Sequence, residues 1–507
     1  MENYTKYFNI SSNLVKELIK ENNTLLLDII FKNFKFFDNE LILHFLMYYK
    51  NKHPISTLDF NQQFEKCKFP LDKDGYLFKK EECKSTKYLC IACEIGDKYL
   101  VKYLVEHGLD INKGNDINNT PLIYVCKNGN EAIVKYLVEQ GADINKENLY
   151  GKTALFYACE KGNATIVKYL IEHNANINKE DDKGWTPLFK ACEGGNDTIV
   201  KYLVEHGADI NKKRNFSETP LLMACQSGNL TIVKYLVEHG ADLKTEDDHE
   251  ETPLFYACRY KHENIIKYLV EVGDDINKKN KYDTTPLIYA CRIGNGTIVK
   301  YIVEHGANIN EANREGEMPL FLACKNGNET IISYLDDQGA NINEVNEEGK
   351  TPLFIACMNG NENNVKYLVE QGADINKEDN GGETPIFFVF EKGNETLLKY
   401  LIENGADMHK ENERGETPLF NACRSGNEDL VRNLVEYGVN VNKENGEGKT
   451  PLFYACYFEY ETIIKYLVEH GANVNKKDKY GKTPLIYVYD IENEKIQNYL
   501  IEHGAVP

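Results

Sequence analysis

Fourteen cysteines and twelve histidines in a chain of 507 residues are the residue types that ligate zinc or act as nucleophiles and bases. Their spacing argues for neither. Eleven cysteines (Cys93, Cys126, Cys159, Cys192, Cys225, Cys258, Cys291, Cys324, Cys357, Cys423 and Cys456) share one register of 33 residues. Side chains repeated along stacked elements sit roughly 8 to 10 Å apart, whereas a disulfide needs Cα atoms within about 7 Å. The expected role is an inert, buried thiol, which favours a reducing compartment. Cys67, Cys83 and Cys90 lie outside the register, and no metal role is expected for them. His107, His173, His206, His239, His305, His470 and His503 each stand just before a Gly, or before Asn174 in one case; this is helix-end chemistry rather than catalysis. Twelve of the 33 tyrosines also share one register, from Tyr103 to Tyr499, as packing residues. Asn163-Ala164-Thr165 and its relatives match a glycosylation acceptor, but Met1 to Asn13 has no secretory pattern, so turn chemistry is the expected role.

The register implies repeated elements. Thr120-Pro121 recurs at Thr186-Pro187, Thr219-Pro220, Thr252-Pro253, Thr285-Pro286, Thr351-Pro352, Thr384-Pro385, Thr417-Pro418, Thr450-Pro451 and Thr483-Pro484. Thr153-Ala154 and Met318-Pro319 keep the same phase, and a degenerate unit begins near Lys87. Within a unit, Thr120 suits a helix N-cap and Pro121 the first helical position. One helix is predicted to about Asn128, with Gly129 ending it. A second runs from about Glu131 to Glu139 before Gly141, and residues 142–152 form a hairpin or loop. Helices this short are marginal alone, so each unit must bury its faces on its neighbours.

A 33-residue period with Thr450-Pro451-Leu452-Phe453-Tyr454-Ala455-Cys456 and Gly471-Ala472-Asn473-Val474-Asn475 resembles the ankyrin-repeat family. The resemblance implies an all-α solenoid of stacked helix-turn-helix repeats with hairpin fingers, about 13 units over residues 87–507. The family's signature His is replaced by Phe156, Phe255, Phe354, Phe453 or, once, Leu222, so apolar packing is expected where the family has a polar tie. Met318 forfeits a Thr cap, worth about 1 kcal/mol. Gln497 puts a polar residue in the helix B register that Val134 and Ile464 fill elsewhere, as a terminal unit with no following neighbour would. Residues 1–86, with helical periodicity near 11–20, 24–35 and 40–50, are expected to form a helical N-terminal capping region.

Net charge is −20, while residues 1–86 carry 13 Lys/Arg against 12 Asp/Glu, so the acidity lies in the repeats. An acidic surface repels phosphate backbones and attracts basic proteins. No nucleic acid is expected, and no membrane segment: the apolar stretch 25–49 is broken by Asp28, Lys32, Lys35, Asp38 and Glu40. The resemblance implies a protein-protein interaction scaffold or adaptor, monomeric, in the cytoplasm or nucleus, binding on the concave face lined by finger tips and first helices. No enzymatic activity and no cofactor are expected, since candidate groups are spread by register and no insertion builds a pocket. A structural tether or spring without a strong partner site is the competing reading.

Positions that vary between units are free for binding. Just before the Thr stand Tyr150, Trp185, Phe216, His249 and Tyr282, followed by acidic Glu315, Glu317, Glu348, Glu383, Glu416 and Glu447. After the Cys register stand Arg259, Tyr260, Arg292, Ile293, Tyr457 and Phe458. Interface hot spots favour Trp, Tyr and Arg, so Tyr150, Trp185, Phe216, Arg259, Tyr260, Tyr282 and Arg292 are the candidate partner-binding residues, for a protein with a basic surface. Val389 and Phe390, bulky where other units carry Ala and Cys, and Asn364, polar where others carry Ile133 and its equivalents, predict a distorted, softer junction around 360–400.

Overall fold

The computed structural model describes residues 87–106, 108–392, 394–490 and 493–506; the segment 1–86 expected to cap the array, with Cys67 and Cys83, lies outside them. Two compact units divide the chain, Met1–Asp242 and Leu243–Pro507. In the first, pairs of short helices begin with Lys87–Ile95 and Lys98–Glu106 and end with Pro220–Ser227 and Leu230–Glu238. The second runs from Pro253–Arg259 and Glu263–Glu271 to Pro484–Asp490 and Glu494–Glu502. Within each unit, first (A) helices pack on neighbouring A helices, and second (B) helices on B helices. This is the repeated helix-turn-helix solenoid that the period requires. The fingers, expected as hairpins, carry no strand among the described residues; they are successive turns.

Local chemistry sets each boundary. Gly129 adopts φ 73° after helix Pro121–Asn128, the left-handed geometry that a side chain disfavours. The expected Thr caps are only partly made. Thr120, Thr153, Thr219 and Thr285 accept from the third helical amide at 3.3–3.5 Å, while the buried hydroxyls of Thr186, Thr351 and Thr450 have no partner. Met318 therefore forfeits less than its sequence suggests. The stronger cap is the Asn before most B helices. Asn130 Oδ1 accepts from the Ile133 amide at 3.2 Å while its Nδ2 donates to the Gly96 carbonyl of the preceding repeat at 3.2 Å, and Asn163 is spent in the same way.

The core lies between the A and B helices. Phe156, Phe189, Phe255, Phe354, Phe420 and Phe453 are fully buried, each worth about 1.5–3 kcal/mol of apolar burial. Several meet the next repeat edge-to-face: Phe255 with Tyr289, Phe420 with Tyr454 and Phe453 with Tyr487, at 5.6–5.7 Å. Ring packing thus stands where the family has its His. The register cysteines are buried, and burial pushes thiols such as Cys126 and Cys357 far up. Cys90, also buried, donates to the Asn119 carbonyl at 3.5 Å, and burial lifts its thiol to about 11.

Between fingers, an asparagine ladder ties neighbours. Asn145 Nδ2 donates to the Asn174 carbonyl at 3.0 Å and its Oδ1 accepts from the Asn176 amide at 2.7 Å; Asn310 and Asn376 repeat the pattern. Glu147–Lys179, Glu180–Lys212 and Glu411–Lys443 pair alongside it at 2.6–2.9 Å. On several B helices the register Tyr lies beneath the Lys of the preceding repeat, as with Lys168 over Tyr202 at 5.4 Å, and these tyrosines are mostly half-buried. His206 stacks on Tyr202 at 3.9 Å while its Nδ1 lies 2.8 Å from the Tyr202 carbonyl, closing the helix end. Gln497 at the final repeat bonds the Val488 carbonyl.

One A helix differs. Pro385–Lys392 is a 3-10 helix where its counterparts are α-helical, with Val389 fully buried in the place of Ala. Asn364, 1% exposed, has neither amide atom hydrogen-bonded. Poorer helical hydrogen bonds beside an unpaired buried amide lower local stability. Amides of 385–392 are expected to exchange at least about tenfold faster than those of Pro319–Asn326 in native-state hydrogen exchange; equal protection would refute the softness.

Candidate protein-binding site

Sequence reasoning placed Tyr150, Trp185, Phe216, His249 and Tyr282 in one set, but the fold separates two positions. Three residues before the Thr, Tyr150, Phe216, His249 and Tyr282 occupy the finger tip and are exposed. One residue before it, Trp185 is half-buried at the finger's base.

In the first unit, Asn148 builds the tip. Its Oδ1 accepts from the amides of Tyr150 and Lys152 at 3.0 Å, folding the turn. Tyr150 then projects at 53% exposure beside Leu149 at 62%. The tips are linked: the Tyr150 carbonyl accepts from Asp182, and that of Lys183 from Asn215. Phe216 is 67% exposed and sits at φ 68°, left-handed geometry that is unfavourable for a bulky residue and recurs at functional sites. Trp185 is covered on its faces by the Lys190 ammonium at 3.8 Å and the Arg214 guanidinium at 4.0 Å from ring centres, and meets Phe189 edge-on at 5.8 Å. It therefore braces the finger beneath two largely buried cations, which are themselves paired with Glu193 and Glu218.

The second unit holds the remaining candidates. Tyr282 is 51% exposed and its ring lies 6.1 Å from His249. Tyr260, exposed at the end of Pro253–Arg259, stacks on His262 at 6.4 Å. Here Lys261 takes φ 63° where a Gly usually serves, and His262 replaces the capping Asn without capping. Arg292 is exposed, 3.9 Å from Glu317 and 5.6 Å from the Tyr289 ring. Arg259 is engaged: it pairs with buried Glu251 and donates to the Tyr289 hydroxyl at 3.0 Å, while Tyr289 and Asn280 both donate to Glu251 Oε1 at 2.8 and 3.1 Å. Burial alone would lower its pKa, but Tyr289 and Glu251 raise it.

The acidic fingers are largely occupied as well. Glu416 is 2% exposed and bound to Arg424 at 3.0 Å; Glu348 and Glu447 pair with Lys350 and Lys449 at 2.7 and 2.8 Å. Sequence reasoning missed Tyr480, at 75% the most exposed large aromatic among the described residues, which shares the tip position of Tyr150 and was legible from that alignment. Among the described residues, no cluster of His, Cys, Asp or Glu has the geometry to hold a metal, and no helix is long and apolar enough to cross a membrane.

The family model described as ankyrin repeats in three copies matches residues 60–148, 145–214, 212–280, 248–313, 272–346, 335–412, 386–478 and 438–507. Among solved structures, the chain is similar to the crystal structure of the human ASB11 ankyrin repeat domain, at 27% identity over 44% of this chain and 99% of that one, with a TM-score of 0.41. No curated protein matches. Because the matched stretches run unbroken from 60 to 507 over the same helix pairs that the 33-residue period marks out, the chain belongs to the ankyrin-repeat family.

Proposed function

We propose that the chain is a non-enzymatic, monomeric scaffold of a reducing compartment, cytoplasmic or nuclear, that holds a protein partner on the face lined by finger tips and A helices. The observation that carries this reading is the exposure of Leu149, Tyr150 and Phe216 on the linked tips of the first unit. Such rings supply large contact area with few torsions to freeze, as interface anchors do. Tyr260, Tyr282 and Arg292 offer similar chemistry in the second unit, while Trp185 and Arg259 act by holding neighbours in place. A net charge of −20 favours a partner with a basic surface and speeds its encounter. Ankyrin repeats serve generally as protein-interaction modules, in keeping with this reading.

The test is a quantitative pull-down with the full chain, comparing wild type with Tyr150→Ala/Phe216→Ala. Both side chains are exposed, so the circular-dichroism melt should be unchanged. Proteins retained by wild type should fall at least about tenfold in the variant and elute with moderate salt. Equal retention by both would overturn the patch, and no retained protein would favour a tether.

A further inference from the structure

On several B helices, a cation from one repeat covers an aromatic ring of the next. Lys135 lies over Tyr169 and Lys267 over Tyr301 at 5.8 Å, Lys366 over Tyr400 at 5.9 Å and Arg432 over Tyr466 at 4.9 Å. Ser333 stands at this register, between Lys300 and Lys366, so the chain supplies no cation from it to Tyr367, one repeat on. Two further departures accompany it. Asp336 stands where its equivalents, such as Val303 and Val369, are apolar, and Asn364 where they are Ile or Leu.

A groove of about 410 Å³ opens at this place between helices Glu329–Asp337 and Glu362–Glu370, walled by Glu329, Ser333, Asn364, Lys366, Tyr367 and Glu370. Its first helix carries Glu329, Asp336 and Asp337 and no Lys or Arg. Glu329 accepts from Asn363 at 2.7 Å and Asp336 from the Tyr367 hydroxyl at 2.8 Å; both donors are neutral, so both charges stay uncompensated. The one cation in the wall, Lys366, lies 3.7 Å from Glu362 and over the Tyr400 ring. Asn364, 1% exposed, has both amide atoms unpaired, which is costly in a buried group. Asp336 fixes the Tyr367 ring in the cation's absence, but Asn364 gains no partner and Ser333 only bonds back to the Thr330 carbonyl of its own helix. Broken local rules without a structural gain mark functional sites.

We propose that this groove receives an Arg side chain from a basic segment of a partner protein, its guanidinium lying on the Tyr367 ring as that of Arg432 lies on Tyr466. The chain itself names the occupant, because equivalent repeats supply the same group from within. Asp336, at the ring's hydroxyl, and Glu370, on the wall, answer its charge, and the unpaired Asn364 amide offers an acceptor. Arg suits the place better than Lys, since a flat guanidinium stacks on a ring while its edge donates several hydrogen bonds. The site is built on B helices rather than finger tips and stands whether or not the finger-tip patch binds.

Phage-displayed random peptides of about twelve residues supply the probe, selected on the full chain carrying Tyr150→Ala/Phe216→Ala so that the finger-tip patch does not compete. Enriched sequences should share an Arg. Synthetic versions, titrated by fluorescence polarisation, should lose at least about tenfold in affinity when Ser333→Lys returns the missing cation, and a smaller factor for Glu370→Gln. Thr165→Lys, the same added charge on another B helix, should leave binding unchanged. Citrulline in place of the peptide's Arg, which removes the charge and keeps the shape, should abolish it. Ser333→Lys restores the residue of other repeats, so its circular-dichroism melt should not fall. No enrichment, enriched sequences without Arg, or undiminished binding to Ser333→Lys would each overturn the proposal.

Discussion

Glu416→Ala should destabilise the last repeats by about 2–3 kcal/mol without disturbing those before residue 385. The carboxylate joins two repeats: Arg424 donates to its Oε2 at 3.0 Å from its own repeat, while Tyr454 and Asn445 donate to its Oε1 at 2.6 and 3.1 Å from the next. Removing one partner of a buried ion pair leaves the other charge uncompensated, typically at about 3–5 kcal/mol; Arg424 keeps 35% side-chain exposure, which reduces the figure. In a solenoid the loss falls on one interface, so amides of 451–502 should exchange faster while those of 286–337 hold. Glu416→Gln keeps the shape and one acceptor and should lose about half as much. Burial alone would raise this carboxyl, but hydrogen bonds from Tyr454, Arg424 and Asn445 hold it below its ordinary 4.5. Its contribution is therefore complete above about pH 4.5 and fades as pH falls through the lowered folded value; the Ala variant should lack that acid-side fade. Unchanged exchange in Glu416→Ala would show that the network adds nothing.

This network shows how far the sequence could be read. Helix pairs, their boundaries and the buried Cys and Phe registers were legible because each is a property of one position repeated every 33 residues. Trp185 and Arg259 were not, because their roles depend on residues in other registers. Arg259 is bound through Glu251, eight residues earlier, and Tyr289, thirty later; the same triple recurs at Glu416, Arg424 and Tyr454. A search for Glu and Arg eight apart with Tyr one repeat on would have found both. Residue type alone made Arg259 resemble a free hot spot. Trp185 stood in a set defined loosely as before the Thr, and a shift of two positions moves a ring from the finger's tip to its base.

A second pairing across registers yields the other large effect: Asp274→Ala should stabilise the protein, and more so at pH 8 than at pH 5. Most repeats carry Ala at this position, for example Ala241 and Ala307, both nearly buried. Asp274 is half-buried there, its carboxylate accepting from the Leu254 amide at 3.0 Å. The preceding ladder position is Lys244 rather than Asn, so the two departures coincide. Burial lifts the Asp274 carboxyl from 3.8 to about 7; the Leu254 amide offsets this in part and the neighbouring Asp275 charge adds to it. Because the folded value lies above the unfolded one, ionisation favours unfolding. The penalty is absent below about pH 4, grows as pH rises towards 7 and is complete above it. At about 1.4 kcal/mol per pKa unit the ceiling is about 4 kcal/mol, and partial exposure brings the expected gain to about 2 kcal/mol at pH 8. The gain should shrink towards pH 4, where the protonated acid retains only its steric cost. Urea titrations of both proteins across pH 4–8, followed by exchange at amides 253–271, would measure it. A gain independent of pH would assign the effect to packing, and a loss of stability at pH 8 would mean that the Leu254 bond outweighs the buried charge.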